Sequence, residues 1–146
     1  MDQQLTLRII LENPPSGIDF GLQSGNGNNY ITVQRQRSGI NDLNFEFEIK
    51  VKKTVEGKPN FLGPYAQGTI DDRFVYIDIG TYAGHSDSVW GRRLKVPLKS
   101  ISWADIEQAT TGANKILETR VPGTARDGSP TCATVKPFGG WYVKDV

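Results

Sequence analysis

The sequence contains one cysteine, one histidine and almost no excess charge of either sign. A lone Cys132 cannot form an internal disulfide, and one histidine with one cysteine does not make up a zinc site. Seventeen basic residues against sixteen acidic ones leave a net charge of +1, so no bulk field attracts polyanions or an anionic membrane. We therefore expect no metal ion, no cofactor, no nucleic acid and no membrane among the partners of this chain.

Long apolar runs are also missing. The apolar stretch that follows the first four residues is short and is interrupted by Arg8, and those four residues lack the basic start of a signal peptide. No segment has the length that is needed to span a bilayer. These features predict a cytoplasmic location for the protein.

Chain length and side-chain alternation predict one β domain. A length of 146 residues suits one hydrophobic core and is too short for two ordinary ones, so a single domain over residues 1–146 is expected. From Leu43 to Lys52 every odd residue is apolar and every even residue is polar, which is typical of a strand with one buried face. The same alternation recurs at Leu5, Leu7, Ile9 and Leu11, at Ile31 and Val33, at Val75, Ile77 and Ile79, and at Leu94, Val96 and Leu98.

Half-buried strands of this kind belong mainly to antiparallel sheets. Sixteen glycines and eight prolines indicate many turns between the strands. Further strand candidates are residues 116–121, 131–138 and 141–144. We therefore predict an all-β, mainly antiparallel fold, either a β-sandwich or a flattened barrel, with about eight strands.

Two local signals add one helix and one hairpin. Ser102 and Asp105 have the spacing of a capping box, and Ile101 and Ile106 have that of a hydrophobic staple, which predicts one short helix near residues 103–109. Gly139-Gly140 can adopt positive φ at both positions, so we expect a tight hairpin that pairs the last two strands.

The segment 80–93 is the first candidate for a functional site. Its candidate ligand-binding residues are Thr81, Tyr82, His85, Asp87, Trp90, Arg92 and Arg93. Functional side chains are often carried by loops that rigid strands support, and residues 80–90 have the small and polar composition of a loop. Tyr82 and Trp90 would stack on a ligand, while the arginines would bind an anionic group. A plainer interpretation makes Arg93 part of the solvated face of a strand.

Asp78 is the second feature of interest in this region. It lies within an apolar strand, on the face that carries Phe74 and Tyr76 and opposite Val75 and Ile77. A carboxylate in that position is solvated, or paired with Arg92 or Arg93, or in contact with a ligand, and the first two interpretations are favoured. A second candidate site consists of Asp19, Phe20 and Gln23, which lie in a segment with no clear period.

Three functions remain open at this point. The first is a non-catalytic binding module for a small polar or anionic ligand or a protein partner, and it is preferred over an enzyme. The second is a small hydrolase that uses His85 or Asp78 as a general acid or base. The third is a subunit of a larger assembly, which would leave an apolar patch or an edge strand uncovered in the monomer.

Several segments of the chain together resemble one known family. They are Glu12-Asn13-Pro14-Pro15, Ile18-Asp19-Phe20-Gly21-Leu22-Gln23, Phe61-Leu62-Gly63-Pro64, residues 74–84 and 92–98, Ile101-Ser102-Trp103 and Val135-Lys136-Pro137-Phe138. The chain resembles an uncharacterised bacterial family, catalogued as a domain of unknown function, from about Leu5 to Val143. The resemblance implies a small stand-alone bacterial protein, and it implies no catalytic residue, substrate or cofactor.

Overall fold

The computed structural model describes residues 2–26, 29–82, 88–112, 114–123, 133–134 and 138–146. For residues 26, 81–82, 88–92, 133–134 and 138–139 it describes the backbone alone.

The described residues form eleven strands and one helix. The strands are β1 (Asp2–Glu12), β2 (Asp19–Asn26), β3 (Asn29–Arg37), β4 (Leu43–Lys53), β5 (Pro59–Phe61), β6 (Gln67–Thr69), β7 (Asp72–Tyr82), β8 (Ser88–Pro97), β9 (Lys115–Pro122), β10 (Ala133–Thr134) and β11 (Phe138–Asp145), and the helix is α1 (Trp103–Thr110). The all-β prediction is confirmed. The strand count exceeds the expected eight by β2, β5 and β6. Strands β5 and β6 have three residues each and are too short for alternation to reveal, and β2 forms in a segment with no clear period.

The strands form two sheets. The first sheet has the order β11-β9-β1-β4-β5, and the second has the order β10-β8-β7-β2-β3 with β6 also paired to β7. Pairing is antiparallel except between β1 and β9 and between β8 and β10. Neither sheet closes on itself among the described strands, so the sandwich is the correct choice between the two predicted architectures.

The core lies between the two sheets. In β4 the odd residues from Leu43 to Val51 are buried and the even ones are exposed, as the alternation predicts. Leu7 and Ile9 of β1 lie opposite Phe47 and Phe45 in the antiparallel register, so large side chains from neighbouring strands form one layer. Each such side chain contributes about 1.5–3 kcal/mol when it is removed from water.

The helix begins and ends close to its predicted bounds. Ser102 accepts a hydrogen bond from the Asp105 amide, and the Asp105 carboxylate accepts one from the Ser102 amide, which completes the capping box. Ile106 and Ala109 face the core. The helix ends where the hydroxyl of Thr110 bonds back to the Ile106 carbonyl at 2.8 Å. Among the described residues, no helix is long and apolar enough to cross a bilayer.

The hairpin prediction at Gly139-Gly140 is wrong. Both glycines lie inside β11, which pairs with β9, whereas β10 pairs with β8 in the other sheet. The register of β11 shifts between Phe138 and Tyr142, and Gly140 has a φ of 74° there. The positive φ that we assigned to a turn therefore belongs to an irregularity within a strand.

Candidate functional site

The outer face of the second sheet carries a buried carboxylate. Asp78 shares this face with Phe74 and Tyr76, while Val75 and Ile77 point into the core, as the alternation predicts. The residue is only 4 % exposed although it faces away from the core. The side chains around it therefore cover it. We call Asp78, Thr32, Gln23, Arg93 and Tyr76 the Asp78 cluster.

Three side chains satisfy the Asp78 carboxylate. The Thr32 hydroxyl donates a hydrogen bond of 2.9 Å to Oδ2, and the Gln23 side chain also hydrogen-bonds to the carboxylate. Nε of Arg93 lies 3.5 Å from Oδ1. Burial raises the pKa of Asp78 above its ordinary value, because desolvation outweighs the opposing effect of Thr32, Arg93 and Gln23.

A glycine on the intervening strand allows Thr32 to reach Asp78. Gly21 of β2 lies directly opposite Asp78 of β7, and Thr32 belongs to β3 on the other side of β2. A Cβ on Gly21 would lie 2.2 Å from Cγ2 of Thr32, which is far inside van der Waals contact. The absence of a side chain at this position therefore lets the Thr32 side chain lie across β2.

Arg93 is held in place by two neighbours. Its Cζ lies 4.9 Å from the centroid of the Tyr76 ring, and Nε lies beside Asp78. The side chain nevertheless remains 45 % exposed. Lys95 repeats the arrangement one step along β8, with Nζ 4.3 Å from the centroid of the Phe74 ring. The face thus presents cations above aromatic rings, a geometry that restricts the cation while leaving it accessible.

The predicted site in segment 80–93 is only partly described. Residues 80–82 and 88–93 are strand, because Thr81 pairs with Val89 and Tyr82 pairs with Ser88. The expected loop over residues 80–90 is therefore wrong in its bounds, since the β7–β8 ladder continues well into it. Trp90 lies opposite Gly80 and Arg92 lies opposite Ile79 in that ladder. His85 and Asp87 lie outside the described residues.

The second predicted site is divided by the structure. Gln23 is buried and belongs to the Asp78 cluster. Phe20 is a core residue. Asp19 forms an ion pair of 3.1 Å with Arg37 at the start of β2. The structure therefore brings Asp78, Arg93 and Gln23 together and leaves Phe20 in a structural role.

Sequence reasoning missed Thr32, and it placed Tyr76 on the Asp78 face without naming it as a site residue. One signal was present: Gly21 stands inside a segment that forms a strand, and such a glycine often marks a close approach of another chain segment. Which residue approaches depends on strand order, which no local pattern encodes.

A second polar network covers the outer face of the first sheet. Buried Glu118 accepts hydrogen bonds from Nη1 of Arg8 at 3.0 Å and from the Tyr142 hydroxyl. Desolvation raises the pKa of Glu118, but the bonds from Tyr142 and Arg8 outweigh it, so this pKa lies below its ordinary value. No group of three or more potential metal ligands occurs among the residues that the structure describes.

The edge strand of the second sheet exposes apolar side chains. Ile31 of β3 is 63 % exposed, and its neighbour Tyr30 is exposed as well. The sequence predicts that Ile31 and Val33 are both buried. This prediction is wrong for Ile31, because Ile31 lies near the first residue of an edge strand. An exposed apolar edge is what the assembly hypothesis requires, and that hypothesis stays a prediction.

The fold and the cluster define a two-sheet β-sandwich with a buried acid on the outside of one sheet. A family model described as a family of unknown function, DUF5990, matches residues 5–144. The chain belongs to this family, which confirms the predicted resemblance to a family of unknown function over nearly the whole chain. Comparison with curated proteins and with solved structures finds no match.

Proposed function

We propose that the chain is a non-catalytic binding module, and that it binds a small polar or anionic ligand on the outer face of β7 and β8. Arg93 is the principal ligand-binding group. The observation that carries the proposal is an exposed guanidinium fixed between the Tyr76 ring and the Asp78 carboxylate.

The geometry suits recognition of oxygen atoms. Asp78 engages Arg93 through Nε, and no hydrogen-bond partner of its two Nη atoms occurs among the described side chains. Those atoms can donate two parallel hydrogen bonds to a carboxylate or phosphate. Because the side chain is already restricted, binding immobilises little further, which reduces the entropic cost of association.

The same geometry disfavours acid/base chemistry at Asp78. A general acid or base must come within hydrogen-bond reach of the substrate atom that gains or loses a proton. The Asp78 carboxylate is buried and engaged by Thr32, Gln23 and Arg93. A raised pKa at this position therefore reflects desolvation within a structural cluster. The hydrolase hypothesis rests on His85, which the structure does not describe.

The test is a titration of the full chain with succinate and with inorganic phosphate, monitored by NMR through the Arg93 Nε–H signal in the parent chain and through the backbone amide signals of β7 and β8 in every variant. We expect saturable shifts with at least one of the two anions and no chemical conversion of either. Arg93→Gln should weaken binding about tenfold or more. Arg93→Lys should weaken it to a lesser extent, because lysine keeps the positive charge but cannot donate the two parallel hydrogen bonds of a guanidinium.

Lys52→Gln is the matched control, because Lys52 is an exposed cation on the other sheet. It should leave the affinity unchanged. If neither anion moves the Arg93 signal, or if Arg93→Gln binds as the parent chain does, the proposed site is wrong.

The proposal retains a cytoplasmic location in a bacterial cell. The single cysteine supports this, since the chain cannot use internal disulfides of the kind that stabilise many secreted domains. Fractionation of a bacterial host that expresses the full chain, followed by immunodetection, tests the location.

A further inference from the structure

We infer a second ligand site, for a small organic anion with an apolar body, in a cavity at one end of the sandwich. The cavity lies between the β4–β5 hairpin, the β6–β7 turn and the first residues of α1, and its volume is about 440 Å³. Small-molecule sites typically enclose about 300–1,000 Å³. We call it the end cavity. Its main lining residues are Phe61, Ile70, Trp103, Lys58, Arg73 and Lys99.

Backbone contacts hold the walls of the end cavity together. The Leu98 amide donates to the Arg73 carbonyl at 2.9 Å, and the Ile101 amide donates to the Leu98 carbonyl at 3.0 Å. These bonds fix the segment that leads into α1 against the start of β7. The walls of the cavity are therefore held together by backbone hydrogen bonds of the fold.

The floor and one wall of the end cavity are apolar. Phe61, Leu98 and Ile101 are buried and form the floor. Ile70 lines the cavity and is 48 % exposed. The partly buried Trp103 lines it as well. A ligand with an apolar body would remove these surfaces from water.

The polar lining of the end cavity is mainly positive. Lys58, Lys99 and Arg73 contribute three positive charges, and Asp71 contributes one negative charge. A fourth cation lies close by, since Nζ of Lys53 is 5.5 Å from the centroid of the Trp103 ring. This excess contrasts with the near-neutral chain as a whole. The cavity therefore favours a negatively charged head group.

The cations differ in how they are held. Arg73 is fixed, because its Nη2 donates to Oδ1 of Asn60 at 3.0 Å and its Nη1 donates to the Gly68 carbonyl. Lys58 and Lys99 are exposed and can adjust to a ligand. The carboxylate of Asp105 is engaged by the Ser102 amide within the capping box, so it faces the helix backbone. We assign the anionic head to the two lysines and the apolar body to Ile70 and Trp103.

This site is distinct from the Asp78 cluster. Arg73 and Asp78 are five residues apart on β7, which corresponds to about 16 Å of extended strand. Arg93 does not line the end cavity. The two proposals can therefore fail independently.

The test uses three probes of one shape and different charge: hexanoate, hexanol and hexylamine. Binding to the full chain is followed by NMR through the indole N–H signal of Trp103, which Trp103→Phe assigns. We expect hexanoate to bind at least about fivefold more tightly than hexanol, and hexylamine to bind most weakly. Inorganic phosphate, which lacks an apolar body, should shift the Trp103 signal little.

Substitutions separate the contribution of the lysine charges to ligand affinity from that of the apolar wall. A Lys58→Gln/Lys99→Gln double variant should weaken hexanoate about five- to tenfold and leave hexanol unchanged. A Lys52→Gln/Lys115→Gln double variant removes two exposed cations elsewhere and should change neither affinity. Ile70→Ala should weaken hexanoate and hexanol alike, and Arg93→Gln should weaken neither.

Three results would overturn the inference. Equal affinity for hexanoate and hexanol, or an unchanged hexanoate affinity in the Lys58/Lys99 variant, would show that the lysines do not select an anion. Phosphate that shifts the Trp103 signal with the same affinity as hexanoate would show that the apolar wall contributes nothing to recognition.

Discussion

Thr32→Val tests the hydrogen bond that connects β3 to the buried acid. Valine keeps the shape of threonine and the methyl group beside Gly21, but it removes the hydroxyl that donates to Asp78. A hydrogen bond to a charged group contributes about 1.5–3 kcal/mol. Gln23 and Arg93 remain as partners of the carboxylate. We therefore expect a loss at the lower end of that range, about 1.5–2 kcal/mol at pH 7.

The loss should depend on pH in a defined direction. The folded pKa of Asp78 lies above its unfolded value, so the stability linked to this group is fully present below the unfolded pKa. It is lost as the pH rises through the folded pKa. Removing the Thr32 donor raises the folded pKa further, because that donor favours the ionised form. The cost of the substitution should therefore be largest at neutral pH and smaller in acid.

Urea denaturation, followed by tryptophan fluorescence at pH 7 and at the lowest pH where the chain stays folded, measures both effects. Thr69→Val is the matched control, since Thr69 is an exposed threonine on β6, and its effect should stay within about 0.5 kcal/mol. A Thr32→Val cost below 0.5 kcal/mol at pH 7, or an equal cost at both pH values, would refute the reasoning.

Two further substitutions address the same two polar networks. Gly21→Ala should lower the free energy of unfolding, measured with urea, by about 1–3 kcal/mol, because the new Cβ would displace Thr32. Gly39→Ala is its control, because a Cβ at Gly39 meets nothing within 4 Å. Tyr142→Phe should cost about 1–3 kcal/mol at pH 7 by the same assay, because Glu118 loses a donor. The stability linked to Glu118 is present above its unfolded pKa and is lost as the pH falls through its lowered folded pKa, so this cost should shrink in acid.

Each of these expectations can be contradicted by one result. A Gly21→Ala chain as stable as Gly39→Ala would mean that Thr32 can move without losing Asp78. A Tyr142→Phe cost that grows as the pH falls would mean that the tyrosine does not favour the ionised form of Glu118.

The sequence predicts the fold well because the alternation of apolar and polar residues shows which face of each strand is buried. Residues 43–52 and 75–79 lie where their period places them, and Ser102 begins the helix as its capping box predicts. Alternation does not determine sheet order. The parallel pairing of β1 with β9 joins residues more than one hundred positions apart, and no local pattern encodes it. The Gly139-Gly140 prediction is wrong for a related reason, since glycine permits positive φ in a strand irregularity as readily as in a turn.

The candidate site shows a second limit of local patterns. Alternation places Asp78 on the face away from the core, and that placement is correct, but it does not predict how much of the side chain is exposed. Asp78 is buried because Thr32 lies across Gly21 from one side and Arg93 lies over Tyr76 on the other. Pairing with Arg93 of the next strand was one of the sequence interpretations, whereas the position of Thr32 follows from sheet order.

The burial of Asp78 has a consequence for Arg93. An exposed arginine that is free to move loses side-chain entropy when a ligand immobilises it. Here the aromatic ring and the carboxylate restrict the guanidinium before any ligand arrives. The restraint depends on Asp78 being ionised. Because its pKa is raised, Asp78 becomes protonated at a pH closer to neutral than an ordinary aspartate does. The donors from Thr32 and Gln23 oppose that rise, so residues that never touch the ligand help to keep Arg93 in position.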